Sequence, residues 1–167
     1  MANHPHRLRR HHYFGRRTHF LTACTRGRRA LFDDAATCSL VVDQLLRASR
    51  QCSFAIIAYV LMPDHIHVLV EGTREDSDFI KWVNLFRQLS GYWHKRRSGV
   101  DLWQEGYWDY TLRDDEPVPG IASYVVWNPV AAQLVASPEL FPHSGSDRFS
   151  VVELAAASPH KPRVGDV

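Results

Sequence analysis

Apolar and polar positions along the chain repeat with the two periods of regular structure, two for strands and 3.6 for helices. Residues 18–25, THFLTACT, alternate and are rich in aromatic and β-branched types, which predicts a first strand. After the basic turn TRGRR, Asp33 or Asp34 is placed to cap a helix reaching about Arg50, with Leu40, Val41, Leu45 and Leu46 on its apolar face. FAIIAYVLM (54–62) reads as a buried strand, Pro63-Asp64 breaks it, and HIHVLVEG (65–72) returns beside it as a hairpin partner. Ser77 or Asp78 opens a second helix whose stripe is Phe79, Val83, Phe86 and Leu89, and its basic end WHKRRSG closes at Gly99.

The segment LWQEGYWDYTLRDDE (102–116) is aromatic and predicted extended, and PVPG follows as a turn. ASYVVWN (122–128) predicts a helix, Pro129 is expected to restart the chain, and VAAQLV to form another short helix. The order β-α-β-β-α-β predicts an α+β fold: a ferredoxin-like antiparallel sheet with helices appended at its C-terminal end. One domain is expected over residues 1–155, led by a basic arm, with a disordered tail over 156–167. Ferredoxin-like sheets carry many unrelated activities, so function has to be argued from the site.

Composition narrows the class. The 167 residues are 45% hydrophobic and 23% charged, a globular balance, and no run approaches the roughly 18 apolar residues of a membrane span. Cys24, Cys38 and Cys52 fit neither a disulfide framework nor a zinc spacing, so reduced thiols and a cytoplasmic location are expected. The net charge of +2 is uneven: residues 1–32 hold eight arginines and five histidines with no acidic residue, leaving 12 basic against 18 acidic side chains elsewhere. A basic arm on an acidic body suits phosphates, although a solvated arm would look the same. Arg16-Arg17 is not expected to be an export signal, because CTRGRRALF supplies no apolar stretch after it.

MPDHIHVLVE (62–71) carries the chemistry. On a strand His65 and His67 share a face, with Cα atoms about 6.6 Å apart, and two imidazoles there can lean onto one cation or simply hydrogen-bond at a sheet surface. Downstream, Tyr124 and Asn128 stand four apart and therefore on one helical face. The Asn128 amide could complete a His-His-Asn site beside Tyr124, or could merely precede a helix-ending proline.

HIH between apolar residues, the basic turn after the first strand, WQEGYWDYTLRDDE and ASYVVWNPVAAQLV, in that order, resemble the IS200-type single-tyrosine transposases. Within them the resemblance is to the REP-associated tyrosine transposases of bacteria, and it spans roughly residues 10–145. It implies an HUH endonuclease fold. It also implies a divalent cation held by His65 and His67, with Asn128 in the place of the amide ligand, and Tyr124 as the nucleophile. Cleavage and rejoining of single-stranded DNA near small hairpins, through a 5′-phosphotyrosine and a free 3′-OH, would follow. Neutral nitrogen and oxygen ligands suit Mg²⁺ or Mn²⁺.

A tyrosine nucleophile conserves the phosphodiester energy in a reversible covalent bond, and no GxxxxGK(S/T) loop points to a nucleotide cofactor. An unperturbed phenol, with a pKa of about 10, is ionised in only about one molecule in a thousand at pH 7. Asp64, Glu71 or a water could take its proton. Expected phosphate contacts are Arg16, Arg17, Arg26, Arg28 and Arg29 around the first strand, and Lys95, Arg96 and Arg97 at the end of the second helix. Trp103, Tyr107, Trp108 and Tyr110 could stack unpaired bases or line a core. Among rival nucleophiles Tyr92 and Tyr107 lack a ligand four residues on, whereas Tyr110 has Asp114. A histidine-triad hydrolase needs a further histidine where Leu69 stands, and a two-histidine phosphoesterase needs His-x-Ser/Thr twice. A non-catalytic DNA-binding regulator of the same fold and a replication-initiator or relaxase nickase stay as alternatives. A monomer is expected over a dimer that exchanges its tyrosine helix.

Overall fold

The computed structural model describes residues 9–157; the predicted tail beyond Ala157 and the first eight residues of the basic arm lie outside the described residues. Its strands and longer helices are β1 (Thr18–Cys24), α1 (Ala35–Cys52), β2 (Phe54–Met62), β3 (His65–Gly72), α2 (Phe79–Ser98), β4 (Trp108–Thr111), α3 (Val118–Ala131), β5 (Ser144–Gly145) and α4 (Val151–Ala156). The sheet order is β4-β1-β3-β2-β5, and every pairing is antiparallel. Its first four strands have the split β-α-β-β-α-β connectivity, so the α+β ferredoxin-like prediction holds.

Local chemistry explains the boundaries. The Asp34 carboxylate accepts from the Thr37 amide at the start of α1, and Asp78 does the same for Lys81 in α2. Gly99 ends α2 in the left-handed region with φ 77°. Gly72 ends β3 where a Cβ would meet the Gly15 carbonyl oxygen at 2.0 Å, so only glycine lets these backbones cross.

Both faces of the sheet are covered, which is why β2 is almost unbroken in its apolar character. A shift of register at Ile57 puts Ile56 and Leu61 on one face and Ala58, Val60 and Met62 on the other. Under the first face, α1 and α2 supply Val41, Leu45, Trp82 and Phe86 to a large core with Leu21, Ile66 and Val68. Over the second face, α3 and α4 pack Ala122, Val125, Val126 and Leu154 on Phe20, Val60 and Leu69. A fully buried aliphatic or aromatic side chain contributes about 1.5–3 kcal/mol, so these two layers fix the sheet between them.

Four expectations change. The segment 102–116 is extended only at Trp108–Thr111, with a bridge between Thr25 and Trp103. PVPG is not a turn: Val118 and Pro119 are already in α3, because proline near a helix start loses no bond that the helix would make. Pro129 does not restart the chain either; α3 runs through it to Ala131, and VAAQLV forms no second helix. Proline in a last turn costs one bond at a place where the ladder is already ending. Finally, Ala156 belongs to α4, closed at its start by a capping box between Ser150 and Glu153, rather than to a disordered tail.

Candidate active site

β3 begins at the site. His65 pairs with Cys24 and Met62, and His67 with Thr22 and Val60, so both imidazoles lie on the face that α3 covers. His67 Nδ1 shares a hydrogen bond of 2.8 Å with Thr22 Oγ1, and His65 Nδ1 donates to Asp64 Oδ1 at 2.7 Å. Asp64 in turn meets Arg28 Nε at 2.9 Å. With both Nδ1 atoms engaged, the two Nε2 atoms face each other at 3.1 Å.

This arrangement has the dimensions of a divalent-cation site. Two nitrogens about 2.1 Å from one octahedral ion, at right angles about it, are about 3.0 Å apart. The observed Nε2 separation matches that edge. A hydroxyl and a carboxylate at the far ring nitrogens, able to accept their N–H groups, are the outer contacts that ligand histidines use. Burial and the nearby His65 and Arg28 depress the His67 pKa to about 3, which keeps the ring neutral. No three His, Cys, Asp or Glu side chains gather for a metal among the described residues, so a third protein donor has to be of another kind. The amide of Asn128 is of that kind: buried in α3, its Nδ2 donates to the Tyr124 carbonyl at 2.9 Å, which commits the NH₂ end and leaves the oxygen end for another contact.

Tyr124 is brought to the histidines from across the sequence. Its ring centroid is 6.4 Å from that of His67, and Phe20 lies between 5 and 7 Å from both, at 5.4 Å from His67 and 6.5 Å from Tyr124. The rivals are placed otherwise. Tyr110 donates to Glu116 Oε2 at 2.7 Å, which raises its pKa. Tyr92 is on α2, under the opposite face, and Tyr107 carries Arg87 over its ring at 5.5 Å. Glu71 pairs with Thr18, at the far end of β3, and is held by Arg148 at 2.8 Å.

The expected DNA contacts divide. Arg16 and Arg17 precede β1 at the end remote from His65, about 20 Å along the strand, and Arg16 is paired with Glu75 at 3.1 Å. Arg26, Arg28 and Arg29 leave β1 at the His65 end and are exposed, although Arg28 is engaged with Asp64. At the end of α2, Lys95 meets Asp101 at 2.8 Å, Arg96 lies over Tyr92, and Arg97 reaches Asp34 and Thr37. Trp103 is a core residue, 8% exposed, with its Nε1 donating to Ser90 and its ring against Phe32 and Phe86; it is not a stacking surface. Tyr107 packs partly against that core as well. Trp108 alone of the three is exposed. Thr22 and Phe20 were not foreseen, since only the register of β1 against β3 puts them beside His67.

The fold matches a REP-associated tyrosine transposase solved bound to a REP hairpin, with TM-score 0.68 and 22% identity over 84% of this chain and 82% of that one. A family model described as "Transposase IS200 like" matches residues 13–128, and the chain belongs to that family. A REP-associated tyrosine transposase of Escherichia coli is 24% identical over 72% of this chain and 71% of its own. A Haemophilus influenzae protein provisionally named the same way is 28% identical over 60% of this chain, and the match spans 64% of that relative's length. No helix among the described residues is long and apolar enough to cross a membrane.

Proposed function

We propose that this chain cleaves and rejoins single-stranded DNA at or near small hairpins, with Tyr124 as nucleophile and a divalent cation, Mg²⁺ or Mn²⁺, held by His65, His67 and Asn128. The observation that carries it is the approach of the Tyr124 ring to His67, whose Nε2 faces that of His65. The relatives named as REP-associated tyrosine transposases, and a solved structure of one bound to a REP hairpin, support hairpin DNA as the substrate.

When bound, the cation would withdraw charge from a non-bridging phosphate oxygen and orient the scissile bond. The side chains do the rest. Tyr124 Oη forms a bond to phosphorus as the bond from phosphorus to the 3′-oxygen breaks; the phenol proton leaves to a base, and the departing 3′-oxygen gains one. The product is a 5′-phosphotyrosine with a free 3′-OH, and attack by a 3′-OH reverses it. Asp64 is committed to His65 and Arg28 and Glu71 to Arg148, which favours water as the proton acceptor. Tyr124 and His67 approach within one chain, with ring centroids 6.4 Å apart, which supports a monomer over a dimer that exchanges α3.

The test is a denaturing gel for a covalent adduct between the protein and labelled stem-loop DNA in Mn²⁺ or Mg²⁺. The adduct should form with wild type and vanish in Tyr124→Phe, in His65→Ala and in EDTA. Adduct surviving in Tyr124→Phe would reject the nucleophile, and tight binding with no adduct in any hairpin would indicate a regulator.

A further inference from the structure

Across the sheet, Trp108 of β4, Thr22 of β1 and His67 of β3 form one row, because Thr22 is the partner of both others. Paired residues of an antiparallel sheet share a face, so Trp108 stands on the face of the histidine pair, two strand spacings or about 10 Å from His67. A nucleotide spans that distance between its phosphate and the base beside it. β4 is the outermost strand, and Trp108 is 43% exposed despite being one of the largest apolar side chains in the chain.

The ring is held in place rather than loose. Phe20 meets it edge-on at 5.8 Å, and Phe20 also touches the rings of His67 and Tyr124, so one aromatic links the indole to the site. Tyr110 lies parallel to it, with centroids 6.2 Å apart and planes 13° from parallel, and is itself fixed by its bond to Glu116. Tyr110 is on the side away from the His65 end of the sheet, because it pairs with Phe20 whereas Trp108 pairs with Thr22.

Charge decides what such a ring can receive. Around β4 the chain holds Glu105, Asp109, Asp114, Asp115 and Glu116 against Arg113 alone, which repels phosphates. Cations at this end of the sheet include Arg26, Arg28 and Arg29, on the loop after β1. An unpaired base is neutral and has a free π-face; a base inside a stem is already stacked. We infer that Trp108, backed by Tyr110 and Phe20, is the stacking platform for the unpaired nucleobase next to the scissile phosphate, and so fixes which phosphate reaches Tyr124. The inference rests on the active-site reading above and adds a positioning residue to it.

The probe is stem-loop DNA enriched by the protein from a pool with a fixed hairpin and randomised single-stranded flanks, then prepared with an abasic nucleotide at each flank position in turn. Binding is measured on Tyr124→Phe protein, so that cleavage does not intervene. Adding Trp108→Ala should weaken binding about 5- to 140-fold, from the 1–3 kcal/mol of one base stack, while Trp108→Phe retains most of it. One abasic position should cost Trp108-containing protein a similar factor and cost Trp108→Ala nothing further, the coupling that a merely structural role would not produce. Unchanged affinity in Trp108→Ala, losses that add independently, or no enriched flank at all would overturn the platform. Adduct formation by wild-type protein on the same DNA is scored separately: its absence alongside the coupling would reject the Tyr124 chemistry and leave the platform standing.

Discussion

Replacing Thr22 by valine keeps the shape of a β1 side chain and deletes one hydroxyl, the one that meets His67 Nδ1 at 2.8 Å. In the metal-free protein the two Nε2 atoms at 3.1 Å need one proton between them, which puts a hydrogen on His67 Nε2 and makes Nδ1 the acceptor of the Thr22 hydroxyl. Metal binding requires the other tautomer, with Nε2 bare and Nδ1–H donating. A hydroxyl serves both, because it can donate or accept. Valine serves neither, but the penalty falls mainly on the metal-bound form, whose N–H is left without an acceptor in a residue only 3% exposed. An unsatisfied buried donor costs about 1–3 kcal/mol, and loss of such outer contacts lowers metal affinity about 10- to 100-fold. Mn²⁺ titration followed by calorimetry or by its electron paramagnetic resonance signal should show that loss, with Thr22→Ser close to wild type. Mn²⁺ affinity unchanged in Thr22→Val would refute the tautomer argument and, with it, the role of His67 Nε2 as a ligand.

Three further outcomes are expected. Burial, reinforced by Arg17, depresses the pKa of His19 to about 3 against 6.5 unfolded, so the unfolded chain binds more protons between these values: stability is full above pH 6.5 and falls as pH drops toward 3, by about 2 kcal/mol at pH 5. Urea unfolding at pH 7 and pH 5 should show His19→Phe losing less between the two than wild type, and an equal loss would exclude His19 as a source. Trp103→Ala should destabilise the fold by about 3–5 kcal/mol, and Trp103→Phe should bind stem-loop DNA like wild type; weakened binding by folded Trp103→Phe would return this residue to the interface. Trp127 Nε1 donates to the Ala155 carbonyl at 3.2 Å and ties the Tyr124 helix to α4, so Trp127→Phe should slow adduct formation several-fold. Equal rates in a quenched time course would show that α4 does not position the nucleophile.

What could be read from the sequence was whatever a single segment decides. Pro63-Asp64 between two apolar runs fixes the β2–β3 hairpin, and Asp78 with Gly99 fixes both ends of α2. The placement of His65 and His67 on one face follows from strand geometry alone, and the Nε2 contact agrees with it. Misreadings came where one signal has two meanings: proline marks a turn and also suits a helix start, as at Val118-Pro119, and tolerates a last turn, as at Pro129. α4 was missed although Ser150 and Glu153 spell a capping box, because its six residues are too few to show a period. Trp103 and Trp108 look alike in an aromatic run, and only the sheet decides that one enters the core and the other stays exposed.

The same reasoning explains why the partners of the histidines were out of reach. Thr22 is an ordinary strand threonine until β1 is set against β3, and a shift of one residue in that pairing would place Leu21 or Ala23 there instead. The register is enforced by burial on both faces of the sheet, since sliding β1 would turn Phe20 out of one core and Leu21 out of the other. The packing that stabilises the fold therefore also fixes the hydrogen-bond partner of His67 and its distance from Tyr124. A substitution deep in either core that slips β1 would thus impair metal binding without touching a histidine, whereas an equally destabilising change in α1 that leaves the register intact would not.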